Sequence, residues 1–525
     1  MLHAGVLFSI PSLLSQGLDR FFTVLKPLPA GFYGLHHMVL TLCFMALCRI
    51  KNPEQLKKYP PGELGKLIGL DRIPEVRYFR KKIQQIINQS SMDQLHTALF
   101  SHWVEKMPEM FLYIDGHVRV YHGDQANLPK RFVSREKLCL SGTTEFWLND
   151  EQGLPLMVIT GELNEKIKTA IEEVIPNILL EIGPKASLNT KEPIFTIVVD
   201  REAYEPAWFT YLWKTYRVAI ITYRKNVKDN WDESLFKPTD VQTSNGVVSM
   251  QLCEMGTQIN GQWFREIRKL SKDGHQTAVL TTHPSLEIQF IAQKMFARWT
   301  QENFFKYMIE NFDFDKMIEY GTEAVNQKRT IPNPEYKTLT YQLKKAREKK
   351  SRLEARIFKE LEGAETIDQV LFSNKVLKNG AAIEKINAYK QEIEVLIEKR
   401  KGISARISVA EMPEEKRYNK LKQEGKKLKN AVLMLAYRSE SALYGIMSEF
   451  YKDTEKEGRM ILKEIFSSDA DMIPDYENKK LTIRLHSLST PRANNAIKDL
   501  CQFLNQTETC FPYTNLVLNY QTVAL

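Results

Sequence analysis

Residues 193–202 read PIFTIVVDRE, a proline, an apolar run broken only by Thr196, and then Asp200, Arg201 and Glu202. A near-continuous apolar run of this length describes a strand buried on both faces, as at the centre of a parallel sheet. The acid that closes it then sits at the rim of that sheet, where open α/β sheets bind their ligands. Working outward, residues 110–114 form a second apolar run closing on Asp115, in Tyr113-Ile114-Asp115-Gly116-His117, and further runs lie at 118–121, 145–148 and 155–160. Helical spacing over 163–180 and 208–216 brackets the central run, and a last apolar run fills 218–223. The series predicts the order β-β-β-α-β-α-β.

Beyond it, residues 224–282 carry alternating runs at 247–252, 263–270 and 277–281, read as a β-rich insertion before a long helix over about 286–311. Pro332 and Pro334 mark a boundary. Residues 335–360 then place Tyr336, Leu339, Leu343, Ala346, Leu353 and Ile357 at near-heptad spacing, with nine basic residues against four acidic ones. Such a run is a solvated helix face or one that lies along a phosphate backbone. Further long helices are expected at 381–409 and 414–450, together forming a hairpin or coiled coil, followed by a small α+β tail with strands at 481–485 and 516–520 around a helix at 492–504. Upstream, the first hundred residues are helical. Within them, 62–70 and 74–87 resemble two helices joined by the turn Gly69-Leu70-Asp71-Arg72. The second has an apolar stripe at Val76, Phe79, Ile83 and Ile86, with Arg77, Arg80 and Lys81 on its other faces. This suits a helix-turn-helix set against DNA, or equally a plain helical hairpin with a solvated basic face. The expected domains are 1–105, 106–330 (insertion about 225–282), 331–450 and 451–525.

The whole-chain numbers agree with this partition. The chain has 525 residues, 43% hydrophobic and 26% charged, too many for one domain. The formal net charge of +9 hints at a polyanionic partner. The six cysteines form no CxxC pair, and no Cys/His cluster has zinc spacing, so they read as reduced thiols; His117 and His122 lack a third ligand. No apolar stretch approaches the roughly twenty residues needed to span a bilayer, and residues 1–14 have no charged segment of the export type. An intracellular protein is expected.

Three acids carry the chemistry: Asp115 and Asp200 at strand ends, and Glu302 on the late helix. Carboxylates gathered at one site repel unless a hard cation neutralises them, and such oxygens suit Mg²⁺ or Mn²⁺. Two such ions activate a hydroxyl and stabilise the leaving oxygen of a phosphodiester. His117 and Arg119, just past Asp115, are candidates to face a scissile phosphate, or simply solvent. Trp299 and Phe304, flanking Glu302, are candidates to stack on an unpaired base or to pack in a core.

This arrangement, with strand-borne acids, a helix-borne glutamate and a β-rich insertion between the second and third, resembles the ribonuclease H-like catalytic core of DDE transposases. The placement of the insertion is similar to that in the cut-and-paste branch of bacterial insertion-sequence transposases. In that branch the glutamate helix carries a Tyr-Arg-Glu-Lys signature. Arg298 is in register with it; Met295 stands at the tyrosine position and Ile309 at the lysine position, while Lys306 lies one turn past Glu302 and is able to do the lysine's work. The resemblance implies cleavage of element ends and joining of the 3′-OH to double-stranded target DNA with two Mg²⁺ or Mn²⁺ ions. It also implies a homodimer in the DNA complex, with the long helices as the natural place for its contacts, and a bacterial cytoplasmic, nucleoid-associated location. A ribonuclease H-like nuclease without strand transfer and an inactive DNA-binding architectural protein are the rival readings, and a coiled-coil scaffold leaves the strand-end acids unexplained.

Overall fold

The computed structural model describes all residues except 108–109, 124–125, 129, 134–135, 163–164, 186–188, 244–245, 297–298, 315–321, 325–329, 363–379, 413–418, 452–454 and 524–525, along with a few side chains beside these gaps, Glu302 among them. The chain divides into two compact units. The first comprises Met1–Gly123, Pro129–Tyr320 and Lys422–Leu525; the second comprises Asp124–Leu128 and Gly321–Leu421.

The first unit is built on a ten-stranded sheet. Its strands are β1 (Phe111–Val120), β2 (Lys130–Val133), β3 (Leu138–Asn149), β4 (Pro155–Glu162), β5 (Phe195–Val199), β6 (Val218–Tyr223), β7 (Lys237–Thr243), β8 (Gly246–Ile259), β9 (Gln262–Leu270) and β10 (Gln276–Thr281). The runs at 110–114 and 118–121, expected as two strands, form the single strand β1, because Gly116 interrupts the apolar pattern without turning the chain. Five strands make the centre, in the order β4-β3-β1-β5-β6. β3 is antiparallel to both β4 and β1, whereas β1, β5 and β6 run parallel. The 224–282 segment is β-rich and its strands join the same sheet: β10 pairs antiparallel with β6, and β9, β8 and β7 extend the sheet outward.

Parity along β1 and β5 sorts residues onto two faces. Leu112, Ile114, Ile197 and Val199 join the main core, which contains the helices Ile167–Ile182 and Pro206–Tyr216. Phe111, Tyr113 and Val198 face the other way, against Ile291 and Met295 of the helix Ile288–Phe296. The late helix expected over 286–311 is helical on both sides of residues 297–298, which lie outside the described residues: the stretch after them, Trp299–Phe312, is here called the cover helix.

A helix at Glu424–Ser448, expected to extend a coiled coil, belongs instead to the first unit, in whose main core it is buried. Its residues Ala431 to Tyr437 are consecutive and all buried, so this helix is apolar all round and has no face to leave in water. The two chain ends meet in the same core: the Met1 amino group donates to the Ala470 carbonyl at 3.0 Å, and the Tyr520 hydroxyl to the Leu7 carbonyl at 3.1 Å. A small sheet, Ala470–Asp475, Lys480–Leu485 and Val517–Thr522, closes the chain with the helix Pro491–Asn505. In the N-terminal helices the candidate helix-turn-helix is a short helix Pro61–Lys66 followed by Val76–Gln89. Gly69 ends the turn at a φ of +77°, a conformation that favours glycine.

The second unit contains a helical hairpin, Pro334–Glu362 against Gly380–Lys401, whose seam is Leu343, Ala346 and Leu396 with Leu339, Ile393 and Ile397 packed on it. The pairs Thr322–Ala324 with Asn419–Leu421 and Thr330–Pro332 with Arg406–Ser408 are antiparallel, so the two ends of the hairpin segment run side by side. Among the described residues, no helix is long and apolar enough to cross a membrane.

Candidate active site at the rim of the parallel strands

The parallel register of β1 and β5 decides where the two strand acids lie. Ile114 pairs with Val199, the last registered pair, and the next residue on each strand is Asp115 and Asp200. Neighbouring strands are about 4.8 Å apart, so the two carboxylates leave adjacent backbones at the same level of the sheet. Parity puts both on the face of Tyr113 and Val198. Both residues are partly exposed. Asp115 accepts from the Gly116 amide at 2.8 Å, and Asp200 caps the short turn Arg201–Ala203 by accepting from the Arg201 amide at 2.7 Å.

Along β1 the residues on this face are Phe111 and Tyr113, then Asp115, then His117 and Arg119. The first two lie in the cluster formed with the helix Ile288–Phe296. His117 stacks on Phe305 of the cover helix with ring centroids 5.3 Å apart, and Trp147, the cross-strand partner of Asp115, packs on Phe304 at 5.5 Å. Asp115 therefore falls between the footprints of two helical stretches that are consecutive in the chain. Glu302 lies on the second of these helical stretches, three residues before Phe305 and so on the same helix face. Its side chain, that of Trp299, and Arg298 altogether lie outside the described residues. Among the described residues, no group of three or more His, Cys, Asp or Glu is placed to hold a metal ion. The donor set at Asp115 and Asp200 is carboxylate oxygen, which fits a hard divalent cation and not a soft one.

The cover helix is held by charge as well as by rings. Glu440, fully buried, takes Arg49 at 2.5 Å, Arg459 at 3.2 Å and the Tyr307 hydroxyl. Burial pushes the Glu440 carboxyl up, but Arg49 and Arg459 outweigh it and hold it below the usual range; burial and Glu440 drive the Tyr307 phenol up. The Arg49 guanidinium also lies 4.0 Å from the Phe312 ring centroid. One buried carboxylate thus fastens both turns of the cover helix that follow Glu302.

A second buried carboxylate, Glu145 on β3, lies beneath the Glu424–Ser448 helix. It forms an ion pair with Arg119 at 2.9 Å and accepts from Lys426 at 3.0 Å, Asn430 at 2.8 Å and the Trp147 indole at 3.1 Å. Burial raises the Glu145 carboxyl, yet Arg119 and Lys426 win and bring it to about 2. Burial in turn brings Lys426 down to about 8 against the pull of Glu145.

These contacts relocate several residues expected at a DNA surface. Arg119 is 0% exposed and engaged by Glu145, Asn430 and the Phe314 ring, because β1 continues into the core past Asp115. His117 is buried among Phe305 and Phe314. Neither has the surface that a direct phosphate ligand needs. Phe304 and Met295 are buried core residues, whereas Lys306 is exposed on the cover helix. Arg77, Arg80 and Lys81 are exposed on Val76–Gln89, with Arg80 bound to Glu54 at 2.7 Å.

Sequence reading missed the cations beside Asp200. Arg201 is exposed with its guanidinium 5.7 Å from the Tyr223 ring centroid, and Arg224, the first residue after β6, is paired with Glu266. The rule that picked out Asp200, namely inspecting the residue after a parallel strand, points to Arg224 after β6 as well.

The first unit is thus an α/β protein with two acids on adjacent parallel strands: Asp200 directly follows β5, whereas Asp115, expected at a strand end, lies within β1 because the strand runs on through Gly116 to Val120. A family model described as "Transposase protein" matches residues 1–524, and the chain belongs to that transposase family. No curated protein matches it.

Proposed function

We propose that this transposase is of the DDE type, with a ribonuclease H-like core, and that Asp115, Asp200 and Glu302 form its catalytic centre. The observation that carries the reading is the pairing of Ile114 with Val199, which sets Asp115 and Asp200 side by side on the face roofed by the cover helix. The strand order β4-β3-β1-β5-β6, with three parallel strands, supports the ribonuclease H-like assignment.

In this reading Asp115 and Asp200 hold one or two Mg²⁺ or Mn²⁺ ions and Glu302 completes the set. The ions supply activation of water or a 3′-hydroxyl and neutralise charge on the phosphodiester. The protein's own part is placement. The strand register fixes the separation of the two aspartates, and the Glu440 network fixes the helix that carries Glu302. Lys306 and Arg298 orient phosphate from that helix, and Arg201 does so from beside Asp200. Arg77, Arg80 and Lys81 contact duplex backbone away from the chemistry. A homodimer on paired element ends, encoded by a bacterial insertion sequence and working at the nucleoid, completes the proposal.

The test is cleavage and joining of duplex carrying the gene's own flanking ends, in Mg²⁺ or Mn²⁺, comparing wild type with Asp200→Asn and Asp115→Asn. Joined product from wild type alone, with all three proteins binding the duplex, is the expected result. Cleavage without joining moves the assignment to a nuclease. Metal-independent binding without cleavage moves it to an architectural protein, and full activity in both variants removes the two aspartates from the site.

A further inference from the structure

The hairpin of the second unit contains an open groove of about 510 Å³ between its two helices. One wall is a face of Pro334–Glu362 bearing Thr340, Lys344, Arg347 and Ser351, at spacings of four, three and four that keep them in line. Arg352 flanks this row, and Arg400 closes the groove from the opposite helix. Four cations therefore meet one carboxylate, Glu348, which is itself 3.2 Å from Lys345. Arg347 and Arg352 are exposed. The floor is Leu343 on the hairpin seam, so the groove has a rigid base and polar walls.

We propose that this groove seats the phosphate backbone of duplex DNA, a contact separate from Asp115 and Asp200; DNA as the occupant rests on the transposase reading. Lys344 to Arg352 covers about 12 Å of helix at 1.5 Å per residue. A duplex strand presents three or four phosphates over that length at about 3.4 Å of axis each. Two guanidiniums, an ammonium and the Ser351 hydroxyl along one wall match a row of phosphate oxygens, with arginine able to engage them in bidentate fashion. Such a seat reads no bases, so it holds DNA of any sequence.

The experiment uses the full chain and a 40-base-pair duplex lacking the element ends, with affinity followed by fluorescence anisotropy over a KCl series. The groove variant is Arg347→Glu/Arg352→Glu, backed by Arg347→Gln/Arg352→Gln, which keeps helix propensity. The control is Lys385→Glu/Lys390→Glu, exposed positions on the second helix that do not line the groove. Loss of two phosphate contacts predicts at least about tenfold weaker binding near 0.1 M salt and a log-log salt slope shallower by about 2. The control is expected to keep most of both. Groove variants that bind like the control, with the same slope, overturn the proposal. Metal-dependent cleavage of end DNA, measured in parallel, reports on the catalytic reading independently, since either result can fail without the other.

Discussion

At Glu145 the structure sets one buried carboxylate against two buried cations, and the balance is sharp enough to measure. Removing the acid strands Arg119 and Lys426 without a counter-charge, which costs about 3–5 kcal/mol in comparable buried pairs. Glu145→Ala is expected to lower stability by that amount in urea unfolding; a change below about 1 kcal/mol would show the pair to be solvated. The same group predicts a pH dependence. Its folded pKa of about 2 lies below its ordinary 4.5, so its stabilisation is complete above about 4.5 and is lost as pH falls toward about 2. Wild type is expected to lose stability across that window more steeply than Glu145→Gln, and parallel curves would contradict it. None of this was legible in the sequence. A charge in a chain does not announce its partner, and Glu145, Arg119, Lys426 and Asn430 come from three separate segments. That is also why Arg119 and His117 were expected at a DNA surface: position two or four residues past an acid says nothing of whether the strand has re-entered a core.

At the scale of elements, the cover helix is the part whose placement the proposed chemistry needs, and two of its contacts lend themselves to substitution. Phe304, 1% exposed, packs on Trp147 and Tyr437, so Phe304→Ala is expected to cost about 3–5 kcal/mol. Tyr307→Phe removes the hydroxyl that donates to Glu440 and accepts from Arg49 at 3.1 Å, a loss of about 1.5–3 kcal/mol for each bond to a charged group. Its informative readout is cleavage rate: a fall larger than the stability loss explains would mark Tyr307 as a positioning residue, and unchanged cleavage would mark it as structural only. Most strands were readable, and so was Asp200 as the residue closing β5, because an apolar run of five or six residues bounded by Pro, Gly or charge has few other fates; Asp115 was not, since β1 runs on past it.

At the scale of the whole molecule, the Glu424–Ser448 helix decides which deletions the protein tolerates. Thr322 pairs with Leu421, so the second unit leaves and rejoins the chain at neighbouring points. Replacing residues 322–421 with a short Gly/Ser linker is expected to keep a cooperative unfolding transition within a few degrees of wild type. Ending the chain at residue 421 is expected to abolish folding, because the core loses this helix; a folded product would contradict its central role. The signal for that was present: Ala431 to Tyr437 is a run with no polar face, which a coiled coil does not tolerate. What hid it was its place after two helices with charged faces.

The central claim, that Asp115, Asp200 and Glu302 surround one metal site, is open to a direct measurement. With Fe²⁺ in place of Mg²⁺ and ascorbate and peroxide added, hydroxyl radicals cut the backbone beside the bound ion. Cuts confined to the neighbourhoods of 115, 200 and 302, and lost in Asp200→Asn, are the expected result. Cuts elsewhere, or cuts that survive the substitution, would contradict the account.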